Sequence, residues 1–121
     1  MLKASNRYTF CANLESTTNS DANQNLQTTS LHHQKQFNAM LLTIPTGHTI
    51  KEHVSPQILT LQIISGMGSV TVGNETHTVS RGAWFYIAPN IPHEIVSNET
   101  LTVLLSMYTL PEAANGVLAN E

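Results

Sequence analysis

The chain carries a single cysteine, Cys11. No intrachain disulfide can form, and a reducing, cytoplasmic setting is expected. Charge is equally scarce: only 11% of the 121 residues are charged, and 8 acidic against 5 basic side chains leave a formal net charge of -3. The basic residues (Lys3, Arg7, Lys35, Lys51, Arg81) are scattered. That spacing gives no stripe for a phosphate backbone, so nucleic acid is not an expected partner. No apolar run approaches the roughly 20 residues that a membrane-spanning helix needs, so a membrane is not an expected partner either. The amino terminus lacks the basic-then-apolar pattern of a secretory signal, being interrupted by Asn6, Tyr8, Thr9 and Asn13. Aspartate is nearly absent as well, with Asp21 alone. A histidine–aspartate pair for proton transfer is therefore hard to assemble.

What is present is an apolar, strand-forming sequence behind a polar leader. A chain of this length supports one core. Residues 1–35 read as an amino-terminal arm. Its stretch from Glu15 to Ser30 is dominated by Ser, Thr, Asn and Gln, with little to bury, and is expected to be mobile. Tyr8 and Phe10 alternate with Arg7 and Thr9, the pattern of a short strand suited to a neighbouring subunit's sheet edge.

Residues 36–110 then carry short strands divided by turn residues, the signal of an all-β sandwich or barrel. Phe37 to Ile44 is apolar on both faces, which predicts burial from two sides, against a second sheet or a second subunit. Pro45-Thr46-Gly47 ends it. Leu59, Leu61 and Ile63 alternate with Thr60 and Gln62. Gly66-Met67-Gly68 reads as a turn into Val70 and Val72, and Gly73-Asn74 as a hairpin into His77 to Val79. Arg81-Gly82 turns the chain into Trp84 to Ile87, and Leu101, Val103, Leu105 and Met107 line the last strand. Residues 111–121 form a small, polar tail expected to fray. About eight strands and no helix predict a jelly-roll or barrel.

Two histidines sit inside punctuated segments of this pattern. The first runs from Gly47 through His53, Ser55 and Pro56 to Gly66; the second runs from Gly82 through Pro89-Asn90-Ile91-Pro92 to His93. This pairing resembles the two motifs of the cupin family, small β-barrels that often hold a metal in the barrel mouth. Gly47, His53 and Gly66 match the first motif; Gly82, Pro89, Pro92 and His93 match the second. Asn90 stands where a glycine is usual, and asparagine tolerates the positive φ such a turn needs. The resemblance implies an all-β, cupin-type jelly-roll barrel in which His53 and His93 converge. It also exposes two gaps: Ser55 occupies the place of a second histidine, and the glutamate position falls on Leu59.

Three other residues compete for those gaps. Glu52 and Glu94 are immediate neighbours of His53 and His93, and neighbours on a strand point to opposite faces. Gln57 has the right parity and is the best substitute ligand, giving His53, His93 and Gln57 as the candidate set for a divalent metal (zinc, iron, manganese or nickel). The expected pocket comprises His53, Ser55, Gln57, Leu59, Leu61 and His93, an apolar cavity suited to a small organic molecule. His48 and His77 are expected at the surface, and His32 and His33 at the edge of the arm. Trp84, Phe85 and Tyr86 read as core or dimer packing. The favoured function is therefore a homodimeric, small-molecule-binding barrel marked by two histidines. The alternatives are a metal-dependent cupin enzyme of dioxygenase or isomerase type, and a structural or interaction module with a filled barrel.

Overall fold

Two long strands explain the architecture of the computed structural model, which describes residues 2–17 and 25–111. The described residues form nine strands: β1 Leu2–Ala4, β2 Thr9–Cys11, β3 Gln27–His33, β4 Phe37–Ile44, β5 Thr49–His53, β6 Ile58–Val72, β7 Glu75–Val79, β8 Trp84–Ile87 and β9 His93–Tyr108. β6 and β9 pair antiparallel over nearly their whole length, from Ile58 opposite Tyr108 to Val72 opposite His93. Each then takes two shorter partners on its outer edge. β6 pairs β8 through Leu59–Gln62 and β7 through Gly68–Val72. β9 pairs β5 near His93 and β4 from Leu101 to Tyr108. One ladder thus serves two faces, one of four strands and one that β3, paired to β4, extends to five, and it must fold over in the middle for those faces to pack.

The fold-over is written into residues 63–68. Register shifts fall between Ile63, Ser65, Met67 and Gly68, opposite Ser97 to Val103. Bulges of this kind let a strand leave one sheet and enter another. Gly66 adopts φ +95° there, and a Cβ at that position would lie 2.0 Å from the Thr100 carbonyl oxygen. At Gly68 a Cβ would meet Val96 O at 2.2 Å. The buried Ser97 hydroxyl donates to Glu99 O at 2.7 Å and so ties the partner strand through the same corner. Gly66-Met67-Gly68, expected to turn the chain between two strands, instead bends one continuous 15-residue strand. The glycines serve close backbone approach rather than chain reversal.

The space between the two halves is the core. Leu42 and Ile44 of β4, Leu59, Leu61 and Ile63 of β6, Val79 of β7, Ile87 of β8 and Ile95, Leu101 and Val103 of β9 pack there with Val70. Burying one such side chain contributes about 1.5–3 kcal/mol. The strands that enclose it form an all-β jelly roll whose ladders do not close into a continuous ring.

β4 is buried on both sides, and the second cover comes from this chain itself. Leu31 of β3 with Ala39 and Leu41 forms a smaller cluster on the outer face, joined by Leu14, Phe37, Ile64 and Leu104. Burial of β4 therefore does not require a second subunit. β3 arises inside the stretch read as a polar arm, because Leu31 supplies the apolar contact and the backbone of residues 27–33 completes β4's open edge. The strand expected near Tyr8 and Phe10 is β2, and it pairs with β1 of the same chain. Thr9 Oγ1 lies 2.6 Å from His32 Nδ1, tying that hairpin to β3. Asp21 and most of the carboxy-terminal tail lie outside the described residues. Among the described residues no helix is long and apolar enough to cross a membrane.

Candidate functional site

His53 and His93 are cross-strand neighbours, and a bulge is what aims them together. β5 and β9 pair Thr49 with Val96 and Ile50 with Ile95, and then His53 with His93, so β5 carries one extra residue between Ile50 and His53. Strand alternation alone would put Ile50 and His53 on opposite faces. The extra residue restores both to the same side, and both line one cavity. His93 reaches the same place through its loop. Asn90 adopts φ 66°, as expected of the residue replacing glycine. Its backbone N–H donates to Ser55 O at 2.7 Å, and the Gly73 N–H donates to Pro92 O at 2.8 Å. The loop before His93 is thereby clamped to the segment after His53 and to the β6–β7 turn.

The imidazoles meet edge to face, with ring centroids 4.3 Å apart and planes at 63°. His93 is buried, at 4% exposure, whereas His53 is exposed at the rim. Each Nδ1 lies 2.9 Å from a backbone carbonyl two residues upstream, Lys51 O for His53 and Ile91 O for His93. Burial holds the His93 imidazole below its ordinary pKa. The Ile91 carbonyl opposes that shift, and the neighbouring His53 adds to it.

Behind the rings lies a cavity of about 240 Å³, lined by Leu42, Ile50, His53, Ser55, Leu59, Leu61, His93, Ile95, Leu105 and Met107. Five of the six expected pocket residues are there. The exception is Gln57, whose side-chain amide donates to Thr109 Oγ1 at 2.7 Å and which does not line the cavity. The Pro56 kink and the Ser55 hydroxyl, which accepts the Gln57 N–H at 3.1 Å, redirect the chain before strand parity resumes. The sequence reading missed Leu42, Ile50, Ile95, Leu105 and Met107. The alternation of Leu105 with Met107 carries that signal for β9, whereas Ile50 depends on the bulge.

The remaining candidates lie elsewhere. Glu52 is exposed, and Glu94 pairs with Thr71 on the far face of β9. His48 is half-buried rather than at the surface, and its backbone carbonyl accepts the Ser97 N–H. His77 is exposed, beside Glu75 and edge-on to Phe85 at 5.7 Å. His32 and His33 belong to β3. Phe85 packs on the core, while Trp84 and Tyr86 stand out on the opposite face at 62% and 56% exposure. Two larger hollows lie on outer surfaces, one beside Cys11 and His32 and one beside Tyr86 and Tyr108. Neither contains the histidine pair.

The donor set falls short of a resident divalent metal. Among the described residues no group of three or more His, Cys, Asp or Glu side chains could hold an ion. Protein-bound zinc usually has at least three protein ligands, and iron sites of this kind want a carboxylate beside two histidines. Here the wall beside the rings is Leu59, and Gln57 has turned away.

The same fold recurs among solved structures. A cupin superfamily protein from Desulfitobacterium hafniense superposes with a TM-score of 0.74 at 14% identity, covering 80% of this chain and 88% of that one. The Cnp3 cupin domain of Schizosaccharomyces pombe gives 0.73 at 19% identity, over 93% of this chain and 82% of its own. An oxalate decarboxylase variant from B. subtilis gives 0.57 at 20% identity, over 64% of this chain and 23% of that one. At such identities the likeness is one of fold, and one barrel serves unrelated chemistries. No curated protein matches the chain. The profile of the cupin domain matches residues 40–108, more than half of the sequence and nearly all of the folded barrel, so the chain belongs to the cupin domain family.

Proposed function

We propose that this cupin barrel binds a small organic molecule in the cavity between its two sheet faces, with His53 and His93 at the polar end and no resident divalent metal. The observation that carries this reading is the apolar cavity of about 240 Å³ with two imidazoles at its mouth and no carboxylate in its lining. Apolar walls with a few convergent polar groups are the usual form of a small-molecule site. A barrel filled by its own side chains, the structural-module alternative, would leave no such space.

Metal analysis of protein purified without nickel affinity tests the metal-free part. Substoichiometric zinc, iron, manganese and nickel is the expected result. Stoichiometric metal that disappears in His93→Ala would replace this reading with a metal centre. The two Nε2 atoms, which meet no donor among the described residues, favour that second reading, an ion held by His53, His93 and water. A metal-dependent cupin enzyme would further require turnover that chelation abolishes and one added metal restores. For assembly, a homodimer would use a face other than β4, and exposed Trp84, Tyr86 and Tyr108 mark one. Elution as a monomer at micromolar concentration would contradict it.

A further inference from the structure

The hydrogen-bond roles at the histidine pair are fixed tightly enough to name the ligand's chemistry. A carbonyl oxygen only accepts, so the Nδ1 atoms that approach Lys51 O and Ile91 O at 2.9 Å both carry hydrogen. A neutral imidazole has one N–H, which leaves each Nε2 as a bare acceptor. The two rings cannot satisfy one another, because two acceptors do not pair; they pack edge to face instead. No donor of the described residues reaches either Nε2. The third polar group in the lining is Ser55, whose Oγ accepts the Gln57 N–H and keeps its own proton to donate.

Resting on the small-molecule reading above, we propose that the ligand is a neutral molecule with a small apolar body and two adjacent hydroxyl donors, one for each Nε2, as in a vicinal diol. Charge argues for neutrality. The lining holds no lysine or arginine to pair an anion and no carboxylate to pair a cation, and its remaining walls are aliphatic side chains and Met107. An isolated ion there would lose its hydration without a partner. The distance between the rings argues for adjacency: imidazoles with centroids 4.3 Å apart are too close to serve donors at opposite ends of a molecule. The cavity volume argues for a single small ring, since about 240 Å³ lies below the roughly 300–1,000 Å³ of drug-sized sites. Ser55, as the one remaining donor, can then return a hydrogen bond to a hydroxyl oxygen.

The experiment compares three probes of nearly equal carbon skeleton at pH 7.5: cis-1,2-cyclohexanediol, its dimethyl ether, and cyclohexanecarboxylate. Binding is followed by the imidazole nitrogen resonances and by calorimetry on the full chain. The diol is expected to bind at least tenfold more tightly than the ether, and to shift the Nε2 signals of both histidines. The carboxylate is expected to bind no better than the ether. His53→Ala, at the exposed ring, is expected to cost the diol more affinity than the ether and so to bring the diol down toward it. Equal binding of diol and ether, or preference for the carboxylate, would overturn the donor assignment and leave the pocket standing. Failure of all three to bind at any accessible concentration would overturn the pocket reading together with it.

Discussion

Gly66 and Gly82 share a backbone φ of +95°, yet only one of them is crowded. Alanine at either position must hold a left-handed conformation, which costs about 1–2 kcal/mol. Each replacement also restricts the unfolded chain, returning about 0.4–1 kcal/mol. For Gly82 nothing lies within 4 Å of the added Cβ, so a net loss of roughly 0.5–1 kcal/mol is expected. For Gly66 the Cβ would lie 2.0 Å from Thr100 O, 2.8 Å from Thr100 C and 2.9 Å from Leu101 Cα. All three are backbone atoms of β9, so the β6–β9 ladder must open at its corner. Overpacking of this kind adds about 1–3 kcal/mol and sometimes more. Gly66→Ala should therefore lose about 2–4 kcal/mol, a large share of the roughly 5–15 kcal/mol that holds a domain folded. Parallel urea denaturations, read at equal m values, give both numbers. Losses equal to within about 0.5 kcal/mol would refute the corner as a site of obligatory close approach.

Because burial depresses the His93 pKa, the unfolded chain takes up a proton that the native state resists. Stability should then fall as pH is lowered from about 6.5 and level off below the folded pKa; His93→Gln should flatten the slope, and an unchanged slope would assign it to other groups. Leu59→Glu sets a carboxylate into the cavity that holds both imidazoles. Calorimetric affinity for manganese(II) should rise at least tenfold, and no gain would show that position 59 does not address the pair. Leu61→Ala, at 2% exposure, should cost about 2–5 kcal/mol. Glu15→Gln removes the charge from the exposed 3.2 Å contact to Arg81, and losing that ion pair should cost less than about 0.5 kcal/mol by the same denaturation assay.

Much of the barrel was legible because period-two alternation survives in the sequence. Leu59, Leu61 and Ile63 face one way and become the core, while Thr60 and Gln62 face the other. The positive φ of Asn90 was likewise readable, since asparagine between prolines has few other uses. β3 was harder to see. Its sequence, QTTSLHH, is polar because an edge strand need bury little, and only Leu31 reports its contact with β4. Gln57 escapes a count of parity because that count runs through Pro56, where the strand has already ended.

Alternation and turn residues were enough by themselves to determine an all-β barrel with His53 and His93 carried on separate segments, because those signals are local and repeat along the chain; the cupin family entered through the resemblance of two motifs. Only the tertiary structure decided that an extra residue in β5 turns His53 onto His93, that Gln57 leaves for Thr109, and that both Nδ1 atoms face backbone carbonyls. Register and hydrogen-bond direction depend on what lies across the ladder, and a strand's own sequence does not record its partner.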